Sequence, residues 1–175
     1  IMGLMVMGTA VMKINNLVDL HCHILPAIDD GSPSLDVSLE LARQAVADGI
    51  RYILATPHHM DRHYLNHADE VRQAVEDFQD ELDFQHIQLT VFPGQEIHLN
   101  GQLMSHIDDF LGIDASRNYI LLELPHEMVP NYLDEMIFQL SCKGITPVIA
   151  HPERNEQIIA EPKRLYELVE QGVLA

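Results

Sequence analysis

Leu17-Val18-Asp19-Leu20-His21-Cys22-His23 is a short, largely apolar run that ends in two imidazoles, and the same kind of ending recurs along the chain. It returns as Thr56-Pro57-His58-His59, Gly94-Gln95-Glu96, Glu123-Leu124-Pro125-His126 and Ala150-His151-Pro152-Glu153-Arg154, each after another apolar run. These runs read as strands over residues 17–22, 50–55, 87–92, 119–122 and 146–150. Between them lie helical patterns. Ser32-Pro33 reads as an N-cap and first helical residue, Val37, Leu41, Ala45 and Val46 form a stripe, and Gly49 stops that helix. Further helices are expected over about 69–82, near 102–107, and after Pro130 and Pro162, with Gly144 and Gly172 as stops. Helix, glycine, strand is the rhythm of parallel βα units, which predicts an α/β fold of five strands and the start of a sixth at Gly172-Val173-Leu174. Loops that follow parallel strands converge on one face, so the His and carboxylate endings would gather into one polynuclear metal site. That points to metal-dependent hydrolysis.

The 175 residues fit one domain with a sizeable core, but a complete α/β barrel typically takes roughly 250. A formal net charge of -17, from 27 acidic and 10 basic residues, argues against nucleic acid or an anionic membrane as partner. Cys22 and Cys142 make no disulfide framework and suit a reducing cytoplasm. Residues 1–11 are apolar and Met-rich, yet too short to span a bilayer and without a basic flank. They read as an extension before Met12, with the globular domain over 12–175 and a chain cut short within a larger fold.

His21 and His23, one residue apart on an extended segment, point to the same side while Cys22 points to the other, so one metal could take both imidazoles. Cys22 reads as a small buried residue. Either aspartate of Asp29-Asp30-Gly31 could be a ligand or a turn residue. His58 lies just past the second strand, whereas His59, His63 and His67 trail away and read as exposed or supporting. Glu96 leaves a strand end through Gly94, and its two oxygens could bridge two cations. Glu123 closes the apolar run Ile120-Leu121-Leu122, where a charge needs a metal or a partner to offset several kcal/mol. His151 follows Val148-Ile149-Ala150. His86, His98, His106 and His126 lack this placement and read as ordinary surface or core residues. Arg154 offers a planar fork of donors suited to a phosphoryl group, the alternative being an ion pair with Glu153 or Glu156.

The order of these motifs resembles the polymerase-and-histidinol-phosphatase (PHP) superfamily, and most closely its branch of bacterial manganese-dependent protein-tyrosine phosphatases of capsule and exopolysaccharide synthesis. The likeness runs from about Val18 to Ala175 and is carried most specifically by Asp19 to His23 with Asp29-Asp30-Gly31, and by Gly144-Ile145-Thr146-Pro147-Val148-Ile149-Ala150-His151-Pro152-Glu153-Arg154. It implies a distorted (β/α)7 barrel, here ending after about five βα units, with three clustered cations. These would be Mn²⁺ first, with Fe, Zn or Mg as alternatives. The implied ligands are His21, His23, Asp30, His58, Glu96, Glu123 and His151. His21 and His23 would share one metal, Glu96 would bridge to a second held by Glu123 and His151, and Asp30 and His58 would serve a third. Asp30 is chosen over Asp29 on this resemblance. The pattern also brings ligands from a C-terminal Asp-x-His, which the sequence ends before reaching. The implied reaction is hydrolysis of phosphotyrosine on an autophosphorylating tyrosine kinase that regulates polysaccharide export, with Arg154 holding the phosphoryl oxygens. Competing readings are a phosphatase of a small phosphomonoester such as histidinol phosphate, and an inactive barrel fragment.

Overall fold

Strands β1 (Leu17–Cys22) and β2 (Ile50–Ala55) take the ranges their apolar runs predict and pair in parallel, with Cys22 opposite Ala55. The structure is a computed structural model that describes residues 16–175. The extension expected over residues 1–11 lies outside the described residues. Between the two strands runs α1 (Leu35–Asp48), closed by Gly49 at φ 97°, a left-handed conformation that glycine adopts without strain. Its N-cap is Ser34, whose hydroxyl accepts from the Val37 N–H, and not Ser32. Ser32 is buried, accepting from the Ser38 hydroxyl at 2.7 Å, so its oxygen is already engaged. The expected stripe holds at Ala45 and Val46, which pack against the core, and is corrected at its first two members. Leu39 and Ala42 face the core, while Val37 and Leu41 are 40% and 45% exposed.

β3 (His58–His59), α2 (Ala68–Phe84), β4 (Thr90–Pro93) and β5 (Glu96–His98) follow, then a 3-10 segment over Leu103–Asp109. β6 (Tyr119–Glu123), α3 (Leu133–Cys142) and β7 (Thr146–Ala150) come next, and a 3-10 turn (Pro152–Arg154), α4 (Glu156–Ala160) and α5 (Lys163–Glu170) complete the order. Among the described residues seven strands replace the five expected, because the second and third predicted strands each break and resume. The breaks fall at Thr56-Pro57 and Gly94-Gln95. Proline has no N–H to donate to a ladder, but its carbonyl still accepts from the Glu96 N–H at 3.1 Å, so the resumed pieces run side by side. All pairings are parallel, in one sheet of order β1-β2-β4 and a second of order β3-β5-β6-β7. The strand expected at the far end is a single parallel bridge between Val148 and Leu174.

Two buried clusters hold the helices to these sheets. Ile53 and Val91 meet Leu39, Val71 and Phe78 behind the first sheet. Ile97, Ile120 and Leu122 meet Leu133, Leu140 and Phe110 behind the second. With one side of each strand committed to helices, alternation turns the intervening side chains toward the other, and the strand ends bring their polar residues to one edge. Among the described residues no helix is long and apolar enough to cross a membrane.

Candidate metal centre

His21 and His23 fall on the same face of the chain leaving β1, and their Nε2 atoms come within 3.3 Å. The loop after them folds back against the strand, with the Ser32 N–H donating to the His23 carbonyl at 3.2 Å. Gly31 makes this possible, since a Cβ there would stand 2.4 Å from the Cβ of His23. The loop thereby delivers both aspartates to the site. Asp29 Oδ2 lies 2.6 Å from His23 Nδ1, and Asp30 Oδ1 lies 3.4 Å from His58 Nε2.

Glu96 is the hub. Its Oε2 stands 3.1 Å from His21 Nε2, 3.1 Å from His23 Nε2 and 3.3 Å from His58 Nδ1. None of these approaches has hydrogen-bond geometry: both Glu96 oxygens and His58 Nδ1 are buried without a hydrogen-bond partner. Buried polar atoms left in this state cost free energy unless something else satisfies them. Lone pairs from imidazoles and carboxylates directed at a shared space are the donor set of a divalent cation, so the residues fit a metal. Three overlapping groups, His21 with His23 and Glu96, His23 with Asp30 and His58, and His58 with Glu96 and Glu123, each offer ligand atoms within 4.8 Å of one another.

Glu123 ends β6 with its Oε2 3.7 Å from His58 Nδ1 and 3.0 Å from His98 Nδ1. His151 follows β7 in the left-handed region, at φ 46°, an uncommon conformation for a residue with a Cβ. Its ring lies 4.6 Å from that of His21, and its Nε2 is 3.9 Å from Glu96 Oε1. It therefore borders the three groups without entering one. Arg154 lies on the 3-10 turn just beyond, is exposed, and makes no salt bridge among the described residues, with Glu153 and Glu156 included.

A family profile described as capsular polysaccharide synthesis, CpsB/CapC, matches residues 17–175. The chain belongs to the CpsB/CapC family. It is 44% identical over 158 residues to the tyrosine-protein phosphatase YwqE of Bacillus subtilis (strain 168), a match covering 89% of this chain and 62% of that protein. It is 35% identical over 161 residues to the putative tyrosine-protein phosphatase CapC of Staphylococcus aureus, covering 91% of this chain and 63% of the relative. Among solved structures, it matches a chain from crystal structures of YwqE from Bacillus subtilis and CpsB from Streptococcus pneumoniae, described as unique metal-dependent tyrosine phosphatases. The TM-score is 0.85 at 44% identity, over 90% of this chain and 64% of that one. The chain spans less than two thirds of the length of these curated relatives.

In this CpsB/CapC chain the electrostatics follow from crowding. Burial opposes ionisation of Glu96, but the imidazoles of His21, His23 and His58 outweigh it and hold the carboxyl well below the usual range. Burial likewise disfavours a charged His23, yet Asp29 and Glu96 prevail and lift it to about 10. The Cys22 thiol moves the other way in function. Burial, with Asp19 and Asp29 nearby, pushes it up to about 11, so it is not a thiolate nucleophile at neutral pH.

Three residues in or near the site take places that the sequence left open or did not announce. Asp29, not Asp30, is the aspartate buried against His23. His98 pairs with Glu123, and its spacing from Glu96 repeats that of His21 and His23, a signal that could have found it. His59, expected to be exposed or supporting, is 1% exposed with both ring nitrogens unpartnered, its Nε2 3.8 Å from Asp109.

Proposed function

We propose that this chain is the metal-binding part of a protein-tyrosine phosphatase, a metal-dependent phosphoric monoester hydrolase that acts on phosphotyrosine in proteins. The observation that carries this reading is Glu96, a buried carboxylate among three imidazoles with neither oxygen hydrogen-bonded. Membership of a family whose relatives bear the name tyrosine-protein phosphatase supports the choice of reaction.

His21, His23, Asp30, His58, Glu96, Glu123 and His151 would hold up to three cations, Mn²⁺ by preference and Fe, Zn or Mg as alternatives. When bound, such ions polarise phosphoryl oxygens and activate water. The protein's own part is placement. Asp30, His58 and Glu123 line one side of an open cavity of about 410 Å³ whose other walls include Arg62, His98 and His126, giving a phosphoryl group access to the ligands from solvent. Arg154, exposed and without a salt bridge, provides two parallel N–H donors for equatorial phosphoryl oxygens. Neither cysteine serves as nucleophile. Cys22 is partly buried with its thiol proton held, and Cys142 is on the far helix α3.

The open cavity suits a tyrosine on a protein segment better than a small enclosed substrate. The substrate we favour is an autophosphorylating tyrosine kinase of capsule or exopolysaccharide export, met in the cytoplasm, and the parallel strands form part of a (β/α)7 barrel of the PHP type. Full-length protein with added Mn²⁺ should hydrolyse p-nitrophenyl phosphate and phosphotyrosine peptides. A chelator should stop the reaction and a thiol alkylator should not. Activity indifferent to chelation would overturn the metal-dependent reading, and a strong preference for histidinol phosphate over phosphopeptide would overturn the substrate.

A further inference from the structure

Asp29 is a carboxylate of the site with hydrogen-bond donors on both of its oxygens. Its side chain is 0% exposed, against 64% for the neighbouring Asp30. One oxygen, Oδ1, accepts from the Gly31 N–H at 3.0 Å. The other, Oδ2, receives His23 Nδ1 at 2.6 Å and the His58 backbone N–H at 3.1 Å. Three of its roughly four accepting directions are therefore used within the protein. Two of those donors belong to residues that would ligate a cation, one leaving β1 and one in β3.

We propose that Asp29 is a positioning residue of the metal centre: it holds a proton of His23 on Nδ1 and anchors the His58 backbone, so that Nε2 is the nitrogen His23 offers to a cation beside Glu96. The inference rests on the reading of this cluster as a metal centre. An imidazole donates a metal lone pair from one nitrogen only if the proton sits on the other, and a carboxylate behind the ring fixes that choice. Here the carboxylate does so for one ligand while fixing the height of a second. Gly31 completes the device. The 2.4 Å that a Cβ would leave to His23 Cβ means that no other residue lets the loop come close enough to seat Asp29.

Asp29→Asn separates this role from mere packing. Asparagine keeps the size of the side chain, but it must turn its NH₂ either to Gly31 N–H or to the pair formed by His23 and His58 N–H. In the second case His23 Nδ1 becomes an acceptor and its proton moves to Nε2, blocking the ligand atom. Mn²⁺ binding to full-length protein, followed by electron paramagnetic resonance and calorimetry, should weaken by about 10- to 100-fold in the variant, with the metal-free melting temperature recording that the fold persists. Should Asp29→Asn not fold, ¹⁵N NMR of the His23 ring in Zn²⁺-loaded wild-type protein decides instead, with the proton expected on Nδ1. Mn²⁺ affinity equal to wild type in the folded variant, or a proton on Nε2 in the loaded wild type, overturns the assignment of Asp29. Wild-type protein that binds none of Mn²⁺, Fe²⁺, Zn²⁺ and Mg²⁺ overturns the metal centre itself and this inference with it.

Discussion

His98 and Glu123 face one another across the β5–β6 ladder, with His98 Nδ1 3.0 Å from Glu123 Oε2. The imidazole thus holds the carboxylate that also approaches His58 at 3.7 Å. A ligand carboxylate tied by a hydrogen bond gives up less rotamer freedom when a cation arrives. His98→Ala should therefore weaken Mn²⁺ binding by about tenfold, and His98→Gln, which keeps an N–H, by less. Calorimetric titration of both variants checks this, and equal affinities in wild type and His98→Ala would mean that Glu123 needs no such support.

Replacing Glu96 should be far more damaging than replacing Cys22. Glu96→Gln exchanges the charge that three imidazoles surround for a neutral amide, and the loss of metal should exceed the 10- to 100-fold typical of an outer partner. Cys22→Ser should leave turnover and metal content unchanged, since that side chain packs toward the core behind the first sheet. Elemental analysis alongside a phosphatase assay separates the two, and full stoichiometry in Glu96→Gln would contradict the hub position.

For Arg154, the expected signature is a lower kcat with an undisturbed metal complement. Lysine keeps the charge but loses the planar pair of donors, so one charge-assisted hydrogen bond, roughly 1.5 kcal/mol, is forfeited. That corresponds to about a tenfold slower reaction. An unchanged rate in Arg154→Lys would assign the residue to the surface.

The His67–Asp109 pair makes a prediction about pH that is independent of metal. His67 Nδ1 lies 2.6 Å from Asp109 Oδ2, while Asp109 Oδ1 accepts from the Ala68 N–H at the start of α2. The bond to Asp109 raises His67 above its ordinary 6.5 against the opposing effect of burial. Burial resists ionisation of Asp109, but the Ala68 N–H and His67 outweigh it and hold the group below 3.8. A raised histidine stabilises below its unfolded value and loses that effect as pH rises through its folded one. A lowered aspartate stabilises above its unfolded value and loses that effect on acidification. The pair therefore contributes most between about 3.8 and 6.5. Urea denaturation of wild type and Asp109→Asn should show a wider stability gap at about pH 5 than at about pH 9, with a remainder at high pH from the helix end. A gap that widens with alkalinity would refute the pairing.

The strand-end residues were legible because each follows an apolar run long enough to declare itself, as with β1 and β2, and because a one-residue spacing on a strand fixes a common face for His21 and His23. Two- and three-residue strands such as β3 and β5 are shorter than any periodicity. The face of α1 was ambiguous since Val37 and Leu41 compete with Leu39 and Ala42, both pairs at helical spacing, and only the position of the sheet decides between them. The choice between Asp29 and Asp30 depends on how closely the loop at Gly31 lies on His23. His59 and His98 acquire their roles from Asp109 and Glu123, distant in sequence, which no local pattern can announce.

The breaks at Thr56-Pro57 and Gly94-Gln95 divide the proposed ligands as well as the strands. His21 and His23 extend from the sheet of β1, whereas His58, Glu96 and Glu123 belong to the sheet of β3, β5 and β6. A cation shared between them is a fastener driven through the seam. Bound only by the folded chain, it would add RT ln(1 + [M]/Kd) to the free energy of unfolding, about 2.7 kcal/mol at a hundredfold excess over Kd. On the proposed reading, starvation for metal would loosen the joint between the sheets as it removes the chemistry, and a cell short of the ion would hold less of the folded protein.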